Sequence, residues 1–190
     1  MATRSTGARA AKSPTSERLS PARRAARVRL VAFDVDGVLT DGRLYFDSRG
    51  EALKAFDVRD GFGIRLLRQA GIEMAIITGR SSGIVTARAK DLGIARVLQG
   101  QDDKRAALQR ISADAGIAPQ ECAYMGDDWI DLSALALVGF AAAPADALPE
   151  VRDRVHWVAP SPGGRGAVRD LAQFVLKAQG RLEPLLREWV

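Results

Sequence analysis

From Arg29 to Phe33 the chain runs through a short apolar stretch with β-branched and aromatic side chains. It then sets down two carboxylates, Asp34 and Asp36, followed at once by Gly37. An apolar run of this length reads as a buried strand. An unpaired carboxylate is costly to take out of water, so two of them do not belong inside a core. They belong where the strand runs out, with something cationic to meet them. In open α/β sheets that edge, just beyond the carboxyl ends of the strands, is where ligands bind. Gly37 lets the chain turn sharply away from it.

The remainder of the chain repeats the arrangement. Arg43–Phe46 and Glu51–Phe56 are short strand-like runs around the turn-rich Asp47–Gly50, which predicts a β-hairpin inserted after the first strand; its exposed edges call for a partner. Asp60 is expected to cap a helix from Phe62 to Gln69, and a core strand follows over Ile72–Ile77, ending in Thr78-Gly79-Arg80 with Ser81 as an N-cap. A helix over Ser82–Leu92, a strand over Arg96–Leu98, a helix capped by Asp102 and carrying Lys104 in its first turn, and a strand over Glu121–Met125 come next. The last of these ends in Gly126-Asp127-Asp128 and enters a helix through Leu137. Strands over Val138–Phe140 and Val155–Val158, a glycine-rich loop over Pro162–Gly166 and a helix over Ala167–Gln179 complete the pattern. Such alternation predicts an α/β fold: a parallel sheet flanked by helices on both faces.

Composition narrows the function classes. Residues 1–29 hold eight Lys/Arg against the single acid Glu17, whereas residues 30–190 hold 20 basic and 22 acidic side chains. The net charge of +5 therefore belongs to the amino-terminal stretch and not to a basic folded face, which argues against nucleic acid as a partner. Residues 1–26 are rich in Ala, Arg, Ser and Pro and are expected to be a disordered extension. The folded domain is expected over 27–180 and a carboxyl-terminal tail over 181–190. The chain has no apolar run of membrane-spanning length, so no membrane segment is expected. The one cysteine, Cys122, excludes an internal disulfide and suits a reducing, cytoplasmic setting. The one histidine, His156, excludes a multi-histidine metal site.

Parallel strands bring Asp34, Asp36, Thr78, Lys104 and Asp127 to one rim. Carboxylates without histidine or cysteine suit a hard cation with oxygen ligands, and Mg²⁺ is the usual one beside phosphate. Thr78 and Lys104 supply a hydroxyl and a positive charge for a phosphoryl group. Asp34 can act as nucleophile and form an aspartyl-phosphate. Asp36 can protonate the leaving oxygen and later deprotonate water. Asp127 completes the metal site, with Asp128 and Asp131 supporting it.

In this order, Asp34-Val35-Asp36-Gly37-Val38-Leu39-Thr40, Thr78-Gly79-Arg80, Lys104 and Gly126-Asp127-Asp128 resemble the four motifs of haloacid dehalogenase-superfamily phosphatases. The resemblance implies a Rossmann-like fold and Mg²⁺ bound by Asp34, Asp127 and the main-chain carbonyl of Asp36. Further likeness runs through Gly50-Glu51, Leu53-Lys54, Phe56, Val58-Arg59-Asp60-Gly61, Arg65 and Gly163-Gly164-Arg165-Gly166. It points to members that lack a large cap domain and hydrolyse a phosphorylated sugar acid. The implied substrate is 3-deoxy-D-manno-octulosonate 8-phosphate, on the route to lipopolysaccharide. A nine-carbon 2-keto-sugar-acid 9-phosphate is the alternative, and a non-catalytic assembly module a third reading. By the same resemblance Asp57, Val58, Arg59, Asp60, Gly61, Arg65, Arg80, Arg88 and Arg165 contact the sugar acid together with Asp36 and Lys104, and Arg165 rides on a flexible arm. Asp57 stands where related sequences often have Asn. The 43–56 hairpin is implied to build a homotetramer in which a neighbouring subunit covers the site.

Overall fold

Strands buried on both faces need apolar residues at every position, and the central ones here have them. The computed structural model describes residues 19–189. In chain order its elements are α1 (Pro21–Ala25), β1 (Leu30–Phe33), β2 (Tyr45–Asp47), β3 (Gly50–Leu53), α2 (Val58–Gln69), β4 (Glu73–Ile77), α3 (Gly83–Leu92), β5 (Arg96–Leu98) and α4 (Lys104–Asp114). These are followed by β6 (Cys122–Met125), α5 (Leu132–Leu135), β7 (Phe140–Ala143), α6 (Pro149–Arg152), β8 (Trp157–Val158), α7 (Ala167–Ala178) and α8 (Leu182–Arg187).

Six strands form one parallel sheet in the order β5-β4-β1-β6-β7-β8. Alternate residues feed two cores. Val31, Phe33, Met74, Ile76, Ala123 and Met125 face the side covered by α1, α2, α3 and α7. Leu30, Ala32, Ala75, Ile77, Cys122 and Tyr124 face the side covered by α4, α5 and α6. Each large apolar side chain so buried contributes about 1.5–3 kcal/mol. In the central strand, Phe33 sits level with Ile76 of β4 and Met125 of β6. The chain moves outward from β1 to β4 and β5, then crosses back to β6. The carboxyl end of β1 is thus the point where the strand order reverses, and the place such sheets offer to ligands. The insertion between β1 and α2 is the β2–β3 hairpin, and the described residues form no large cap domain.

Several boundaries differ from the sequence expectation. Residues 1–18 of the expected extension lie outside the described residues, but order begins before residue 27. Pro21 opens α1, the Ser20 hydroxyl accepts from the Arg23 amide at 3.3 Å, and Ala25 is buried. At the other end α8 packs Leu182 and Leu185 on the core, and Trp189 meets Phe62 edge-on at 5.3 Å. Asp57, not Asp60, caps α2, accepting from the Arg59 amide at 2.7 Å. Asp103, not Asp102, caps α4, and Ser82, not Ser81, holds the N-cap position of α3. The seventh strand lies at Phe140–Ala143, beyond the expected Val138–Phe140. Three alanines carry little strand preference of their own, but pairing on both sides, with β6 and β8, overrides it.

Candidate active site

Four of the five predicted chemical positions follow strands of the sheet, and the fifth opens α4 just after β5. Asp34 and Asp36 continue β1, Thr78 continues β4, Asp127 stands two residues beyond β6, and Lys104 begins its helix. The structure brings them to one rim, as expected. Lys104 is buried, and its Nζ lies 2.9 Å from Asp34 Oδ1 and 2.7 Å from Asp131 Oδ1. Burial alone would lower the lysine's pKa, but Asp34 and Asp131 outweigh it and hold the group above its ordinary value. Thr78 is buried and its Oγ1 accepts from the Arg80 amide at 3.4 Å.

Asp131 organises this half of the site. It is fully buried. Its Oδ1 accepts from Lys104 and, at 2.7 Å, from the Tyr124 hydroxyl, while Oδ2 accepts from the amides of Asp127 at 3.0 Å and Asp128 at 3.2 Å. The supporting role expected of Asp131 therefore has a concrete form: it holds the lysine with one oxygen and shapes the Asp127 turn with the other.

Asp127 is less well provided for. Its Oδ1 is buried without a hydrogen-bond partner. Burial, reinforced by Asp131, Asp34 and Asp128, pushes its carboxyl up to about 8. Burial and Asp131 likewise push Asp34 up to about 7, against the pull of Lys104. Carboxylate oxygens of Asp34, Asp127 and Asp131 lie within 4.8 Å of one another. With the oxygens of Asp131 already engaged, Asp34 and Asp127 remain to meet a cation, and an oxygen-only donor set fits a hard divalent ion. Gly37 makes room for the second of them. It sits at φ +93°, and a Cβ there would come within 2.1 Å of Asp127 Oδ2.

The opposite half was not legible as a site in the sequence. Lys54, at the end of the hairpin, is buried and forms an ion pair with Asp36 Oδ1. Its Nζ also lies 3.0 Å from Glu51 Oε1. Glu51 in turn accepts from the Ser82 hydroxyl. Arg80 reaches the same cluster, its Nε 3.9 Å from Asp36 Oδ2. One signal could have shown this. Leu53 and Lys54 are neighbours on one extended run, so if the apolar Leu53 faces solvent, Lys54 is turned to the body.

The expected sugar-acid residues do not all converge. Arg59 pairs with Asp57 at 2.6 Å and donates to the Arg165 carbonyl at 2.9 Å. That pairing neutralises Asp57 and holds its carboxyl below its usual range. Asp60 is buried, and its oxygens accept from the amides of Gly166 at 3.2 Å and Arg169 at 2.9 Å, so it fastens α7 and does not face the nucleophile. The loop expected to be a flexible arm is instead built in. Gly163 donates to Asp146 and Gly164 to the Val38 carbonyl, and a Cβ on Gly163 would lie 1.8 Å from the Gly37 carbonyl oxygen. Arg165 itself points outward, 3.8 Å from Asp41. Val58, Gly61, Arg65 and Arg88 line a separate cleft of about 240 Å³ to which Asp34 does not contribute. A larger hollow of about 820 Å³ lies at the amino ends of the strands, on the far rim.

A sheet of this order, with Asp34 at the end of its central strand and the Asp127, Thr78 and Lys104 positions around it, defines a class. The chain belongs to the haloacid dehalogenase-like hydrolases, whose family model matches residues 52–139. Within that class it is 48% identical over 160 residues to 3-deoxy-D-manno-octulosonate 8-phosphate phosphatase KdsC of Yersinia pestis, a match covering 84% of this chain and 86% of the relative. The crystal structure of a Yersinia pestis phosphatase of that name superposes with a TM-score of 0.84 at 47% identity, over 85% of this chain and 88% of the other. The Moraxella catarrhalis phosphatase, solved with magnesium, phosphate and KDO, superposes with a TM-score of 0.87 at 41% identity, over 90% of this chain and 98% of the other.

Proposed function

We propose that the chain is a Mg²⁺-dependent phosphatase that hydrolyses 3-deoxy-D-manno-octulosonate 8-phosphate to KDO and phosphate, on the route to lipopolysaccharide. The observation that carries the reading is the grouping of Asp34, Lys104 and Asp127 at the switch point of a chain this similar to KdsC phosphatases. Asp34 attacks phosphorus as its bond to the sugar oxygen breaks, giving an aspartyl-phosphate. Asp36 gives its proton to the departing sugar oxygen, then takes one from the water that cleaves the intermediate. Lys104 and Thr78 face the phosphoryl oxygens, where positioned charge does most of the catalytic work. Mg²⁺ bound by Asp34, Asp127 and the Asp36 carbonyl supplies charge neutralisation between carboxylate and phosphate dianion. Arg80, with its side chain half exposed at the mouth, suits the substrate carboxylate.

The assembly belongs to the same reading. Leu44, Tyr45, Phe46 and Leu53 leave apolar surface exposed at the hairpin. Burying it between four copies supports a homotetramer in which a neighbour closes the site. No helix among the described residues is long and apolar enough to cross a membrane. The buried thiol of Cys122 suits a reducing cytoplasm.

The test is phosphate release with Mg²⁺ from the eight-carbon 8-phosphate and a nine-carbon 9-phosphate. The expected result is a higher kcat/KM for the eight-carbon ester and its loss in Asp34→Asn with the fold retained. Preference for the nine-carbon ester overturns the substrate; turnover of neither overturns the enzyme.

A further inference from the structure

The two carboxylates of the β1 turn are served by separate buried ammonium groups. Asp34 meets Lys104, which is held from behind by Asp131. Asp36 meets Lys54, which is held from behind by Glu51. Both lysine side chains are only 1% exposed. The first arrangement is family chemistry. The second comes from the hairpin, outside the four motifs.

A buried ammonium is costly to desolvate and is not needed merely to fill space, which an apolar side chain does as well. Lys54 is also the close, enclosed partner of Asp36. The alternative cation, Arg80, stands 3.9 Å away on a side chain 45% exposed. An acid that must deliver a proton to one departing oxygen has to be aimed, and small misplacements are costly in rate. Glu51 supplies the aim's foundation, because the Ser82 hydroxyl at the start of α3 fixes it in turn.

We propose that Lys54 is a positioning residue: braced by Glu51, it fixes the direction of the Asp36 carboxylate and so couples the hairpin to the proton-transfer half of the reaction. The inference rests on the assignment of Asp36 as acid and base given above.

Lys54→Met, Lys54→Arg and Asp36→Asn are compared on two esters with Mg²⁺. One is the sugar-acid phosphate, whose alkoxide leaving group needs a proton. The other is p-nitrophenyl phosphate, whose phenolate does not. Because kcat/KM reports the steps through leaving-group departure, Lys54→Met is expected to lose about tenfold or more on the sugar ester relative to the aryl ester. Lys54→Arg is expected to recover part of that loss. Inhibition by the dephosphorylated acid is expected to be unchanged, which separates aiming Asp36 from binding the sugar. Equal losses on both esters, or weaker inhibition in step with the loss, overturn the proposal. If Lys54→Met does not fold, Glu51→Gln, which removes the brace alone, is expected to show the same selectivity in weaker form, and its absence overturns the proposal equally. If Asp36→Asn shows no selectivity either, the assignment of Asp36 has failed. If Asp36→Asn is selective and Lys54→Met is not, only the positioning has failed.

Discussion

A carboxyl group buried beside two others keeps its proton to higher pH than one in water, and Asp34 and Asp127 are in that position. Their carboxyls ionise at the ordinary 3.8 when unfolded but at about 7 and about 8 in the metal-free fold. Between those values the native state binds more protons than the unfolded one. Stability of metal-free protein is therefore full below about pH 4 with respect to these groups and falls as pH rises toward about 8. A cation that binds the ionised pair reverses the loss. The Tm of EDTA-treated protein should fall across this window, and the upward shift on adding Mg²⁺ should be larger near pH 8 than near pH 5. A flat or rising Tm, or a shift independent of pH, contradicts it. Asp131 makes the complementary case. Asn at that position turns a donor toward the amides of Asp127 and Asp128 or toward Lys104 and Tyr124, leaving buried groups facing like partners. Asp131→Asn should cost about 1–3 kcal/mol in thermal denaturation and remove phosphatase activity, although the residue need not touch substrate.

Among the elements, α2 and α7 are tied by Asp60, whose two oxygens take amides at the start of α7. Replacing it with Ala frees those donors, and urea unfolding should show a loss of about 1–2 kcal/mol. Asp60→Asn, which keeps one acceptor, should lose less. Asp60 also shows where sequence reading stops. Its place before an apolar helical run made it look like a cap, and a cap it is, but of a helix more than a hundred residues away. Local spacing reveals a capping side chain, not which amides it reaches. The strands and the rim acids were legible because they depend on short-range pattern: apolar runs, then carboxylates, then glycine. Lys54 was not, because its meaning depends on which way the four-residue strand before it is turned. Nor was the anchoring of Gly163–Gly166, since glycine signals freedom of the backbone as readily as a close approach to another segment. Here the Gly37 and Thr40 backbone stands where a Cβ would go.

In the whole molecule, the hairpin has two faces with opposite obligations. Glu51 and Lys54 reach inward to Asp36 and Ser82, while Tyr45 and Leu53, paired across the two strands, are left to solvent, Leu53 being 52% exposed. A two-stranded hairpin is barely stable by itself, so its outer face needs burial if its inner face is to stay on the site. Assembly and turnover should then fail together. Leu53→Glu places like charges where the copies would meet; it should elute as a smaller species and lose about tenfold or more in kcat/KM, while the Tm of the sheet body changes little. Elution and activity like the unaltered chain would show that this face is not the interface. The cleft of Arg65 and Arg88 permits a stricter test, since the same chain's nucleophile takes no part in it. If that cleft serves a neighbour's site, Asp34→Asn and Arg88→Ala chains are each defective for a different reason. Refolded together, they should recover activity that neither has alone, because some sites then combine an intact nucleophile with an intact cleft from the other chain. Recovery no better than the average of the two parents would mean that each subunit builds its site unaided.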